Sequence, residues 1–231
     1  MKKRMLLLAI VGLLAIACSA QAVTTGSVSQ QLYGQFNQIA APMIPFDPNP
    51  RNVVVPSGVF GGWQGLLVSD YAQWLEPTSQ SLVSFPNDWD NFPNVLMGDG
   101  YLCWTDAEMG IPTALLQYDG VDISDTEAWL SLPGMTGSNG GWHYVGVPYL
   151  ATKGCLFYDI VVTDGTESHT MMDFILNGTD WMSLTFIGLD APSQSVIGIP
   201  DSGDYLVGGQ MYLVETYKNN LALILPLPTD L

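Results

Sequence analysis

Three phrases recur along this chain, in the same order and at nearly constant spacing. "FNQIAAP" at 36–42 returns as "WHYVGVP" at 142–148, an offset of 106. "EPTSQSLVSF" at 76–85 returns as "DAPSQSVIGI" at 190–199, an offset of 114. "GDGYLCW" at 98–104 returns as "GQMYLVE" at 209–215, an offset of 111. Drift of a few residues is what loop insertions produce between copies of one plan. The pattern predicts two related units of roughly 100 residues each, an ordinary domain size. The boundaries follow as 23–125 and 126–231, after an N-terminal segment 1–22.

The secondary-structure signals inside each unit are those of strands. "NVVVP", "GLLVSDY", "SLVSF", "VLMGDGYLCW" and "ALLQYDG" mark the first half; "HYVGVPYL", "LFYDIVVT", "QSVIGI", "YLVGGQMYLVET" and "LALILPL" mark the second. Each is short, β-branched or aromatic, and bounded by Gly, Pro, Asp or Asn. The chain has 24 glycines and 15 prolines, too many for long helices. One helix is predicted, over 170–178, with Thr170 as N-cap, Met171, Phe174 and Ile175 near one face, and Asn177-Gly178 ending it. The Asp-Gly pairs at 99–100 and 119–120 read as turns. Trp74, Trp104, Trp129, Trp142 and Trp181 lie in or beside apolar strands and read as core. The expected fold class is all-β: two tandem related β-sandwich-like or barrel-like domains, with one short helix in the second.

The repeated phrases resemble those of a family of exported bacterial β-domain proteins, in which "GWNLIGLP", "WDPATQSY" and "GEGYWL" recur. Here they stand as "GWHYVGVP", "WLEPTSQS" and "GDGYLCW". The resemblance covers most of both halves and implies a secreted or surface-associated β-fold; it implies no active site. "GQMYLVE" departs from it, lacking the glycine before tyrosine.

Residues 1–22 have the build of a secretory signal. Lys2, Lys3 and Arg4 precede the apolar run "MLLLAIVGLLAIA", and Ala20-Gln21-Ala22 supplies small residues for cleavage. Cys18, in "AIAC", offers a second reading as a lipoprotein cysteine. Either way the chain is expected to be exported, to the cell surface, the periplasm or beyond. No second apolar run of spanning length follows, which predicts no integral membrane span. Without the signal, Arg51, Lys153 and Lys218 face 22 acidic residues, a net charge of −19. Such a chain repels phosphate backbones, so nucleic acid is excluded as a partner class.

Candidate chemistry is sparse. His143 and His169 are the only histidines and sit in no zinc-ligand spacing. Calcium is the cation that the loop aspartates would suit, above all Asp119, Asp122 and Asp125, although aspartate is also an ordinary turn residue. Asp201-Ser202-Gly203 has the form of an aspartic-protease tripeptide, but such enzymes need a carboxylate pair and the tripeptide occurs once. Trp89, between Asp88 and Asp90 in "SFPNDWDNFPN", could offer a ring and carboxylates to a sugar, or fold back over the sheet. Cys103 and Cys155, one in each half, are either a disulfide or two buried thiols. The function expected is structural or adhesive, without catalysis and without an obligatory cofactor. Its partners would be an extracellular polysaccharide, another surface protein, or a second copy of the chain. Carbohydrate binding is the alternative, and an acidic hydrolase a distant third.

Overall fold

The computed structural model describes residues 24–49, 71–85, 88–106 and 108–231. The signal segment, Cys18, "NVVVP" and nearly all of "GLLVSDY" lie outside them. The fold is all-β with one short α-helix. Among the described residues no helix is long and apolar enough to cross a membrane.

The first half contains β1 (Thr25–Tyr33), β2 (Gln35–Ala40), β3 (Ile44–Pro45), β4 (Tyr71–Glu76), β5 (Ser81–Phe85), β6 (Gly100–Thr105) and β7 (Pro112–Val121). They form an antiparallel sheet of order β2-β6-β4-β5 and a second of order β1-β7-β3. Leu32, Ile39, Ala72, Val83, Tyr101 and Cys103 close a core between these sheets.

The second half begins with β8 (Ala128–Leu132) and β9 (Gly141–Gly146). It continues through β10 (Lys153–Leu156), β11 (Val161–Thr163), β12 (Ser168–Thr170) and α1 (Met171–Asn177). Then come β13 (Phe186–Asp190), β14 (Ser195–Ile199), β15 (Tyr205–Val207), β16 (Met211–Thr216), β17 (Leu221–Leu225) and β18 (Thr229–Asp230). One sheet runs β14-β13-β16-β9, another β12-β11-β17-β8, and a small third β15-β10-β18.

The strand orders of the two halves coincide. β9-β16-β13-β14 repeats β2-β6-β4-β5, and β8-β17-β11 repeats β1-β7-β3. The register coincides as well. Phe36 pairs with Trp104 as Trp142 pairs with Glu215, and Glu76 pairs with Ser81 as Asp190 pairs with Ser195. Tyr212 occupies on β16 the place of Tyr101 on β6, so the missing glycine of "GQMYLVE" does not displace the strand. The second half adds α1, whose Met171 and Phe174 are buried. Thr170 accepts a hydrogen bond from the Asp173 backbone while the Asp173 carboxylate accepts one from Thr170, a complete capping box. Ile175, expected near the same face, is 38% exposed, so the buried stripe of α1 is Met171 and Phe174.

The halves meet through a reciprocal pair of contacts. The β4–β5 turn carries Gln80 at φ 58°, and the β13–β14 turn carries Gln194 at φ 56°. Gln80 Oε1 accepts from the Trp142 N–H at 2.7 Å and its Nε2 donates to the Trp142 carbonyl at 3.0 Å. Gln194 makes the same bonds to Phe36, at 2.9 and 2.8 Å. Each carboxamide occupies the open edge of the other half's outermost strand, where a further strand would pair. Just beyond, the Ala40 N–H donates to Gly209 and the Gly146 N–H donates to Gly98. A side chain at Gly146 would stand 2.2 Å from the Asp99 carbonyl, so only glycine permits this approach. The far edges are stopped by the chain itself: Asp88 N–H donates to Ser84 and Ser202 N–H to Gly198, at matching positions of β5 and β14.

Four sequence expectations are corrected. Trp129 is 60% exposed, because β8 alternates Ala128, Leu130 and Leu132 inward and Trp129 and Ser131 outward. Trp142 is 39% exposed rather than in a core, because β9 turns His143 and Val145 inward and Trp142 outward. Asp119-Gly120 is not a turn but lies within β7, where glycine is needed because the Ile44 carbonyl of β3 would stand 2.4 Å from a side chain. Asp99-Gly100 leads into β6, and the turn before it falls at Met97-Gly98, with Gly98 at φ 89°.

We expect Gln194→Ala and Gln80→Ala each to lower unfolding stability by roughly 1–2 kcal/mol, since each removes three hydrogen bonds, two across the junction and one to its own turn at Ala191 or Pro77, and reopens a strand edge. Urea denaturation with an unchanged m-value is the check. Wild-type midpoints for both variants would mean the clasps contribute nothing.

Candidate functional site

The contact between the halves leaves a cleft on each side of it. The first, of about 170 Å³, is lined by Trp74 of β4, Ser131 of β8, His143 and Tyr144 of β9, and Leu96 and Asp99 of the segment entering β6. The second, of about 250 Å³, is lined by Gln30 of β1, Asn37 and Gln38 of β2, Asp190 of β13, and Gln210 before β16. The linings correspond: His143 stands where Asn37 stands, Tyr144 where Gln38 stands, and Asp99 where Gln210 stands. One frame thus carries an acidic, aromatic cleft on one side and an amide-rich one on the other.

Asp99 is the chemically distinctive group. Its Oδ2 accepts from the Leu96 N–H at 3.0 Å and from the Tyr101 hydroxyl at 3.3 Å. The Trp74 side chain also donates to its carboxylate. Burial nonetheless pushes the carboxyl from 3.8 up to about 6, against these three hydrogen bonds. In the second half the Tyr212 hydroxyl donates to Gln210 Oε1 at 3.3 Å, so a neutral side chain fills the same role. His143, buried, has its pKa lowered to about 4 by burial, and its Nε2 shares a hydrogen bond with Thr216 at 3.1 Å. The imidazole is therefore neutral at physiological pH. Among the described residues no second carboxylate acts on Asp99, so the cleft holds no proton-sharing pair.

The residues singled out in the sequence lie elsewhere. Trp89, Asp90 and Asn91 form a short 3-10 turn, and Asp88 accepts from Asn91 at 2.7 Å; Asp88 and Asp90 are exposed. The Trp89 side chain lies outside the described residues. Asp119, Asp122 and Asp125 do not gather. Asp119 is a strand residue bonded to Ser27, and Asp122 accepts from the Ser124 N–H in a local turn. No group of three metal-ligating side chains occurs among the described residues. Asp201 begins an exposed turn in which Ser202 and Gly203 bond back to Gly198 and Pro200, and Asp204 accepts from Tyr158. His169 stands beside Glu167 at 3.7 Å and packs on Phe174 and Trp181, where Lys218 lies 4.0 Å from the indole centroid.

Cys103 and Cys155 are free and buried, one in each core. Burial pushes both thiols up, Cys155 to about 12, so neither is a nucleophile at neutral pH. A chain beginning at residue 24 is expected to show two reactive thiols when unfolded without reductant and none when native. Fewer than two in the unfolded chain would establish a disulfide.

Two opposite pH effects meet in the acidic cleft. Asp99 holds its proton more tightly when folded, so its contribution declines as pH rises from 3.8 to about 6, costing about 3 kcal/mol above that window. His143 holds its proton less tightly when folded, so its contribution is lost as pH falls from 6.5 to about 4, by a similar amount, ~3 kcal/mol. Asp99→Asn should therefore match wild type near pH 4 and exceed it by roughly 2–3 kcal/mol at pH 7. Denaturation midpoints across this range are the measure, and a difference constant with pH would refute the assignment. No protein-family model matches this chain, and neither a curated protein nor a solved structure does.

Proposed function

We propose that this is an exported structural or adhesive β-protein, built from two copies of one ancestral unit, that acts by contact with other macromolecules at or outside the cell surface. The observation carrying the reading is Trp129, a large apolar ring left 60% exposed on the flank of edge strand β8 in a strongly acidic chain. Tryptophan is among the residue types enriched where proteins touch one another, and its ring here is open to such contact. The matching strand order and register support the duplication. The locked edges and reciprocal clasps support a body that resists deformation and whose contacts are made by side chains.

Light scattering across salt tests self-contact. At −19 the chains repel over ~30 Å at 0.01 M salt, and screening shortens that range to ~10 Å at 0.1 M. Self-association should strengthen with salt and be lost in Trp129→Ser. Calcium at matched ionic strength should add nothing, since Asp119, Asp122 and Asp125 form no common site. Monomers at every salt concentration that retain no protein or polysaccharide would refute the reading.

Carbohydrate binding is the second reading. It is favoured by the acidic cleft, where the rings of Trp74 and Tyr144 line the same space as the Asp99 carboxylate.

A further inference from the structure

We propose that the cleft between the halves, formed by Trp74, Asp99, His143 and Tyr144, is a binding site for one neutral pyranose ring, such as the end of a polysaccharide chain. The proposal rests on the carbohydrate reading and moves its site away from the Trp89 loop. Size is the first argument. At about 170 Å³ the cleft is well below the ~300–1,000 Å³ of drug-sized sites, so it takes a single ring rather than a stretch of oligosaccharide.

Chemistry is the second argument. A pyranose has apolar C–H faces and an equator of hydroxyls. The Trp74, Tyr144 and Leu96 side chains supply apolar wall. The Asp99 carboxylate has about four lone-pair positions. The Leu96 N–H, the Tyr101 hydroxyl and Trp74 use three of them, which leaves one for a hydroxyl of the ligand. The exposed Ser131 hydroxyl stands at the same cleft and can donate or accept.

Charge is the third argument. Neither described lysine lines the cleft: Lys153 is paired with Asp230 and Lys218 with Asp164, both at 2.6 Å. A uronic acid or a sulfated sugar would meet the Asp99 carboxylate with no cation among the described residues to offset it. The ligand is therefore neutral. A hydroxyl donated to Asp99 stabilises its ionised form, so affinity should rise as pH passes upward through about 6.

Saturation-transfer NMR with the methyl glycosides of glucose, galactose and mannose, with N-acetylglucosamine, and with glucuronate tests the assignment on the chain beginning at residue 24. At least one neutral sugar should receive saturation and glucuronate none. Asp99→Asn, which keeps the shape of the site, should weaken binding at least tenfold and remove its pH dependence. Gln38→Ala, at the position of the other cleft that matches Tyr144, should leave binding unchanged. Thermal melts on each variant establish that it is folded. Binding that survives Asp99→Asn and Tyr144→Ala in folded protein would overturn the cleft assignment while leaving carbohydrate binding standing. No saturation of any sugar, and no retention on a panel of neutral polysaccharides, would overturn both.

Discussion

An open strand edge presents N–H and C=O groups that must be hydrogen-bonded, and in this protein two such edges are brought face to face. β2 and β9 each end their own sheet at the place where the halves meet. A glutamine carboxamide carries two N–H donors and a carbonyl acceptor; one N–H and the carbonyl have the spacing of a peptide group, so it can stand in for a neighbouring strand one residue long while the other N–H bonds its own turn, at Pro77 or Ala191. Gln194 does this for Phe36 and Gln80 for Trp142. The rest of the junction follows from that fit. The backbones close to hydrogen-bonding distance at Gly98 and Gly209, which is why Ala40 and Gly146 are small. The two clefts are the spaces left on either side of this narrow contact.

The halves share strand order and register but differ in content. Asn37 and His143 occupy matching buried positions, but Asn37 holds its own strand by bonding Tyr33 whereas His143 turns to Thr216. Asp99 and Gln210 both receive a tyrosine hydroxyl, yet only Asp99 can ionise. The second half also carries α1 and the β15-β10-β18 sheet over a larger core, with Phe157, Phe174 and Trp181 inside it. Strand order and register match between the halves, while the side chains at matching positions beside the two clefts differ.

Much of the fold was legible because similar phrases occur twice in the sequence, in the same order. The Ser-Gln-Ser phrases locate equivalent turns, the apolar runs locate β5, β6, β14, β16 and β17, and Thr170 with Asp173 marks the start of α1. What escaped had physical reasons. β1 reads "TGSVSQQLY" and buries only Val28 and Leu32, so its polar face hides its period. Asp-Gly is a turn signal only where the backbone is free, and at 119–120 the approach of β3 sets the requirement for glycine. Strand alternation, rather than hydrophobicity, placed Trp129 and Trp142 outside the cores. The acidic cleft could not be read at all, because Trp74, Asp99 and His143 are ordinary residues until three separate strands converge on them.

The two glutamines also set local preference against tertiary need. At φ near 57° glycine or asparagine is the residue the turn itself favours, and a longer side chain there costs on the order of 1 kcal/mol. At both positions the glutamine bonds a carbonyl of its own turn and reaches on to seal the opposite edge. Its presence at that turn is therefore a signature of partnership. In a unit of this design, glycine in the turn would leave the opposite strand edge without a clasp. One that carries glutamine declares, in its own sequence, a second unit to hold.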